Sequence, residues 1–211
     1  MTQGPGARIR AVVFDFGGVL LDWNPRHLYR KLFGGDEAAM ESFLAEIGFT
    51  DWNLAFDRGH PFSVGILELA ARFPGYAGLI RAFDERWEET IAGPMADTVA
   101  LLPRLKAAGY QLCGLSNWSA EKFALARTRY GFFDLLDTIL VSGEVQALKP
   151  EPRIYGCLLE RAGRTAGECV FIDDSEANVA AARELGFSAI RFESARQLAR
   201  QLAELGLLPV S

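Results

Sequence analysis

Two patterns of apolar spacing divide the chain. Val12, Val13 and Phe14 form a short β-branched and aromatic run that reads as a buried strand. It ends at Asp15, after which Gly17 and Gly18 break regular structure. From residue 23 to about 90 the apolar positions recur at helical spacing. Asn24 as N-cap and Pro25 at the first helical position open a helix over 26–33, which Gly34 and Gly35 stop. Further helices are expected over 37–47, 52–58, 64–72 (capped by Ser63) and 77–90, with no strand in this block. From residue 93 helices alternate with apolar runs. Helices are expected over 97–108, bent by Pro103, and over 119–130, 152–162, 176–185 and 194–205. Strands are expected over 110–115, 138–141, 169–172 and 188–191.

Repeated strand–helix units imply an α/β fold: a Rossmann-like parallel sheet covered by helices on both faces, with right-handed crossovers. The helical block interrupts this pattern after the first strand. The expected domains are therefore a core of 1–22 and 93–211 and an inserted all-helical cap of 23–92. A chain of 211 residues can bury a core of this kind with a smaller domain attached. Half of it is hydrophobic, but no run approaches a membrane span. The start, MTQGPGARIR, lacks the apolar core of a signal peptide and reads as a loose leader, which fits a cytoplasmic protein. A net charge of −5 with mixed signs argues against a nucleic-acid or membrane partner. Cys113, Cys157 and Cys169 sit in apolar surroundings without metal-type spacing and read as reduced, buried and inert.

Four strand ends carry polar residues that a packed core does not request: Asp15, Ser116-Asn117, Lys149 in ALKPEPRIY, and Asp173-Asp174. Asp15 alone would pass as a turn cap. In a doubly wound sheet, however, strand ends line one edge, so these groups converge. Three carboxylates with one lysine repel one another, and a hard divalent cation such as Mg²⁺, which takes oxygen ligands, resolves the conflict. Lys149 and the Ser116 hydroxyl then supply a positive charge and a donor for phosphoryl oxygens.

Together the motifs FDFGGV, LSNW, LKPEPRIY and FIDDSEAN resemble the haloacid dehalogenase superfamily, which consists mostly of phosphatases. The helical block lies where that superfamily inserts its first-type cap. The chain is most similar to a branch that contains a bacterial glucose-1-phosphate phosphatase. The resemblance implies that Asp15 is the nucleophile and becomes an aspartyl phosphate. It implies that the Gly17 carbonyl, Asp15 and Asp174 hold Mg²⁺, with Asp173 ligating directly or through water. Ser116 and the Asn117 amide would hold the phosphoryl group, Lys149 would balance the charge on it and on Asp15, and Asn178 would hold Lys149 or the metal loop or cap a helix. Most phosphatases of the superfamily carry Asp two positions after the nucleophile as general acid and base. Gly17 stands there instead, which leaves three readings open: a leaving group that needs little protonation, such as an anomeric oxygen; Asp22 or a cap side chain doing that work; or slow turnover.

In the cap, Arg58 is the candidate substrate-binding residue, with Trp23, Trp52 and His60 as weaker ones; each Trp reads first as core. FDRG (residues 56–59) resembles the acidic-x-Gly turn of related caps. His27 reads as a surface residue. The expected function is a Mg²⁺-dependent phosphomonoesterase acting on a small phosphorylated metabolite, with a sugar phosphate favoured. The alternative is a metal-independent 2-haloacid dehalogenase using the same aspartate, which the Asp173-Asp174 pair disfavours. Loss of an acid at Gly17 counts against a phosphomutase, and retention of the whole charged set counts against a non-catalytic binding protein.

Overall fold

The computed structural model describes residues 8–209, so the reading of residues 1–7 as a leader lies outside the described residues. Its strands are β1 (Ala11–Phe14), β2 (Leu21–Trp23), β3 (Ile91–Pro94), β4 (Gln111–Ser116), β5 (Thr138–Val141), β6 (Cys169–Asp173) and β7 (Ser188–Arg191). Five of them form a parallel sheet in the order β5-β4-β1-β6-β7. β1 is central and wholly buried, as its unbroken apolar run requires. Its alternate residues feed two cores. Val12 and Phe14 join the cluster on one face, and Ala11 and Val13 join the cluster on the other.

The block after β2 contains α1 (Pro25–Leu32), α2 (Glu37–Glu46), α3 (Phe49–Asp57), α4 (Phe62–Arg72) and α5 (Ala77–Glu85). Asn24 caps α1 as expected, its Oδ1 accepting from Arg26 N at 3.0 Å. Ser63 caps nothing: α4 begins one residue before it, at Phe62, with Pro61 in the cap position. The helix expected over 77–90 ends at Glu85, and Trp87–Thr90 tightens into a 3₁₀ turn. Phe83 is the hub of the insert, with the rings of Phe49, Trp52 and Phe62 centred 5.1 to 5.9 Å away.

No strand lies between Pro25 and Thr90, as expected, but two short strands that were not expected flank this block. β2 and β3 pair antiparallel, Leu21 opposite Pro94 and Asp22 opposite Gly93, so the helical insert leaves and rejoins the core through one ribbon. The Gly and Pro of β3 (IAGP) conceal it from a pattern-based reading.

The remaining helices are α6 (Ala96–Val99), α7 (Leu101–Ala107), α8 (Ala120–Arg129), α9 (Ser142–Val145), α10 (Pro152–Ala162), α11 (Glu176–Glu184) and α12 (Ala195–Glu204). The expected helix over 97–108 is broken into α6 and α7, since the Pro103 ring would collide with the carbonyl four residues back, at Val99. Cys113 and Cys169 are buried, and burial pushes their thiols up to about 12 and about 11; Cys157, expected to be buried, is only half-buried. No helix among the described residues is long and apolar enough to cross a membrane.

Gly114 on β4 lets the Phe16 ring lie directly on the sheet. A Cβ at Gly114 would sit 2.3 Å from Phe16 Cζ. That ring stacks on Phe123 at 5.7 Å and meets Phe133 edge-on at 5.0 Å. Because Phe16 follows Asp15, its seat also orients the site. Gly114→Ala is expected to destabilise the protein by about 1–3 kcal/mol through overpacking, read as a lower urea midpoint. An unchanged midpoint would mean that the Phe16 ring has free room to move.

Candidate active site

Three neighbouring parallel strands end together. β1 leads into Asp15, β4 ends in Ser116 and β6 ends in Asp173. Lys149, from the loop before α10, reaches under them with only 4% of its surface exposed. Its Nζ lies 2.8 Å from Asp15 Oδ1 and 2.7 Å from Asp173 Oδ2, and it donates to the Leu115 carbonyl at 2.9 Å. All three ammonium protons are thereby assigned. The Asn117 side chain grips the Lys149 backbone from both sides, accepting from its N–H at 2.7 Å and donating to its carbonyl at 3.0 Å.

Asp173 is fully buried and saturated. Its Oδ1 accepts from Ser175 N and Asn178 Nδ2, and its Oδ2 accepts from Lys149 and Asn178 Nδ2. Asn178 is itself fixed by the Tyr155 hydroxyl, which donates to its carbonyl at 3.0 Å. Asn178 therefore braces the partner of Lys149 and does not reach Lys149 itself. Burial pulls the ammonium down, but Asp15 and Asp173 more than offset this and hold Lys149 above its ordinary value. Burial pushes Asp15 up to about 7 against the pull of Lys149, and it also raises Asp174, with Asp173 adding to the effect.

A cavity of 350 Å³ separates these strand ends from the helical insert. Asp15, Gly17, Ser116, Asn117, Lys149, Asp174 and Asn178 line it from the sheet side. Phe62, Trp87, Asn53 and Asp57 line it from the insert, and Trp23 of β2 and Trp118 of the loop after β4 complete the wall. Asp15, Asp173 and Asp174 each bring a carboxylate oxygen within 4.8 Å of the other two. This is a hard-oxygen donor set that suits Mg²⁺. Gly18 is required beside it: φ is +74°, and a Cβ would sit 2.4 Å from Asp174 Oδ2.

The structure thus brings Asp15, Gly17, Ser116, Asn117, Lys149, Asp173 and Asp174 to one place. Arg58 is not among them. Half exposed, it pairs with Glu151 at 2.6 Å and opens onto a different groove, so a substrate-binding role at this cavity is withdrawn. His60, on the same groove, pairs with Glu68. Trp52 is held in the insert's aromatic core by its bond to the Gly65 carbonyl. Asp22 is exposed, pairs with His27 at 2.9 Å and does not line the cavity.

The residue that sequence reasoning passed over is Asp57, the last residue of α3, which is buried and lines the cavity. FDRG was its only signal. Its Oδ1 accepts from Ser119 N at 3.1 Å and its Oδ2 from Asn53 Nδ2 at 3.0 Å. Burial pushes its pKa up to about 7; the Ser119 bond opposes this, and the charge of Asp15 adds to it.

A carboxyl raised in the folded state favours folding while protonated and loses that contribution as pH rises through its folded value. Asp57 should therefore make the metal-free protein less stable between about pH 4 and pH 7, by at most about 4 kcal/mol. Asp15 acts with the same sign. Urea midpoints measured across this range should fall in the wild type and fall less in Asp57→Asn. Identical slopes would mean that Asp57 is ionised throughout.

Against this geometry, comparisons with known proteins give a consistent placement. The sequence profile of the haloacid dehalogenase-like hydrolases matches residues 9–186. A sesquiterpene phosphatase of Aspergillus oryzae is 26% identical over 208 residues, covering 93% of this chain and 96% of its own. The (S)-2-haloacid dehalogenase 4A of Burkholderia cepacia is 28% identical, covering 87% of this chain and 82% of its own. A haloacid dehalogenase family enzyme of Bacteroides thetaiotaomicron, solved in complex with magnesium and inorganic phosphate, is 25% identical with a TM-score of 0.69; the match covers 88% of this chain and 95% of that one. The chain belongs to the haloacid dehalogenase-like hydrolases.

Proposed function

We propose that this hydrolase is a Mg²⁺-dependent phosphomonoesterase that passes its substrate's phosphoryl group through Asp15. The observation that carries this reading is the charge of the cavity. Its charge-bearing side chains among the described residues are Asp15, Asp57, Asp174 and Lys149, and Lys149 already donates to three acceptors. A 2-haloacid keeps its carboxylate throughout the reaction and would find no free cation here. A phosphoryl group instead gains from a cation held by the same carboxylates. Bound to Asp15, Asp174 and the Gly17 carbonyl, Mg²⁺ would supply the charge that offsets the phosphoryl oxygens. Asp173 has its lone pairs occupied by protein donors and acts by holding Lys149.

Phe16 N donates to Asp15 Oδ1 at 2.7 Å, and Lys149 contacts the same oxygen. Oδ2 is then the oxygen left to attack phosphorus, while Ser116 and the Asn117 amide hold the transferred oxygens. Lys149 keeps Asp15 oriented and offsets the charge that develops. The aromatic walls suit an uncharged alcohol with an apolar face. A sugar presents such a face, and so does the hydrocarbon of a sesquiterpene, the class in the name of the Aspergillus oryzae sesquiterpene phosphatase.

Phosphate release from small monoesters should stop in chelator and return with added Mg²⁺. Full turnover of 2-chloropropionate in chelator would replace this reading with the dehalogenase. Asp15→Asn preserves the shape of the side chain and should leave the melting temperature near that of the wild type, while reducing phosphate release by orders of magnitude. Activity within a few fold of the wild type would remove Asp15 as the nucleophile.

A further inference from the structure

Protonation of the leaving group has no evident agent on the sheet side of the cavity. Gly17 carries no side chain, and a Cβ built there meets only Trp23, at 4.0 Å. Asp22 is turned outward to His27. Of the carboxyls that line the cavity, Asp15 is bound to Lys149 and Asp174 belongs to the donor cluster that suits a metal. Asp57 remains, on the opposite wall.

We propose that the Asp57 carboxyl is the acid and base of the reaction, replacing the function that position 17 lacks; this rests on the phosphatase reading above. Its placement carries the inference. Asp57 ends α3 and is clamped against two core segments: Ser119 N, in the loop that follows β4, donates to its Oδ1, and the Ser142 hydroxyl, at the start of α9, donates to its backbone carbonyl. Ser119 lies three residues beyond Ser116, so the loop that presents the phosphoryl-holding hydroxyl also fixes Asp57. Asn53, one turn earlier on α3, holds Oδ2. Each carboxyl oxygen takes one of these donors and keeps a second lone pair for a proton.

Asp15, Asp174 and Lys149 face Asp57 across the cavity. On α8, Glu121 accepts from Phe62 N and Lys122 pairs with Asp84. On α9, which packs against α3, Glu144 pairs with Arg161. On its own turn, Arg58 pairs with Glu151. No cation among the described residues is bonded to Asp57, and burial keeps a large share of it protonated near neutral pH.

The proton balance closes over the two halves. In the first, Asp15 Oδ2 bonds to phosphorus as the ester P–O bond breaks. The Asp57 proton goes to the departing oxygen, giving the alcohol, an aspartyl phosphate at Asp15 and an ionised Asp57. In the second, water oxygen bonds to phosphorus, its proton goes to Asp57, and the Asp15–phosphorus bond breaks. Hydrogen phosphate leaves with both side chains restored.

Asp57→Asn separates this role from simple anchoring, because an amide oxygen still accepts from Ser119 N but the side chain cannot transfer a proton. With Mg²⁺ present, the variant should hydrolyse an alkyl monoester about 10²–10⁴-fold more slowly. With p-nitrophenyl phosphate, whose leaving group needs no proton, it should release one equivalent of nitrophenolate per site in a burst near the wild-type rate and then turn over slowly. Equal losses on both esters in the burst phase, or no loss on either, would overturn the proposal and leave the phosphatase reading intact. If the variant melts below the assay temperature, the wild type decides: kcat/KM should depend only weakly on leaving-group pKa, and a steep dependence overturns the role. A wild type that hydrolyses neither ester with Mg²⁺ removes the phosphatase reading and this proposal with it.

Discussion

The site depends on a buried ammonium that cannot stand alone. An unpaired Lys149 at this depth would cost several kcal/mol, and so would Asp15 or Asp173 without it. The pairing is tolerable because every member is also hydrogen-bonded: Lys149 to the Leu115 carbonyl, Asp15 to Phe16 N, and Asp173 to Ser175 N and Asn178. Much of the surrounding architecture serves this condition. β1 and β6 must end in register for the two carboxylates to flank one nitrogen, and Asn117 fixes the lysine backbone at the correct height. Breaking any one contact leaves another buried polar group unsatisfied, so the arrangement is rigid without any covalent tie.

The two walls of the cavity divide the work along the same line. The sheet side is made of strand ends and short turns locked by hydrogen bonds, and it holds the charged groups. The rest of the wall is largely aromatic: Phe62 belongs to the ring packing around Phe83, and Trp87 meets Trp118, which packs on Phe16 and Phe123. The groups that need sub-ångström placement stand on the sheet, and packed rings shape much of the opposite wall. Asp57 is the exception, a carboxyl delivered from the insert but fastened to a core loop by Ser119 N.

Strand-end logic places Asp15, Ser116 and Asp173-Asp174 together, because polar residues after apolar runs in a parallel sheet have one edge to occupy; Lys149, expected at a strand end, instead reaches the same edge from the loop between α9 and α10, eight residues past β5. The sheet was equally legible: β5 and β7 match the expected 138–141 and 188–191. The misses have physical reasons. β3 is a strand by virtue of its partner, and its own Gly and Pro argue against it. Arg58 was attractive as a cation, but a side chain that is half exposed finds a surface carboxylate before it finds a buried site. Asp57 stands one residue away, and nothing local distinguishes the two. Which one faces the cavity is decided by the packing of α3 against the loop after β4, a contact between residues more than sixty positions apart.

The β2–β3 ribbon has a consequence for how such a chain can change. Adjacent strands lie about 5 Å apart, so the helical insert begins and ends at nearly the same point. The loop-closure entropy of whatever hangs from that point grows only slowly with its length, and the parallel sheet bears no stretch from it. Helices can be exchanged, lengthened or lost beyond Trp23 while the register of β1, β4 and β6 stays as it is. The insert is in this sense a replaceable module: apart from the seat of Asp57 on Ser119 N, the wall it gives the cavity can be redrawn within residues 24–90 without moving the strand ends beneath.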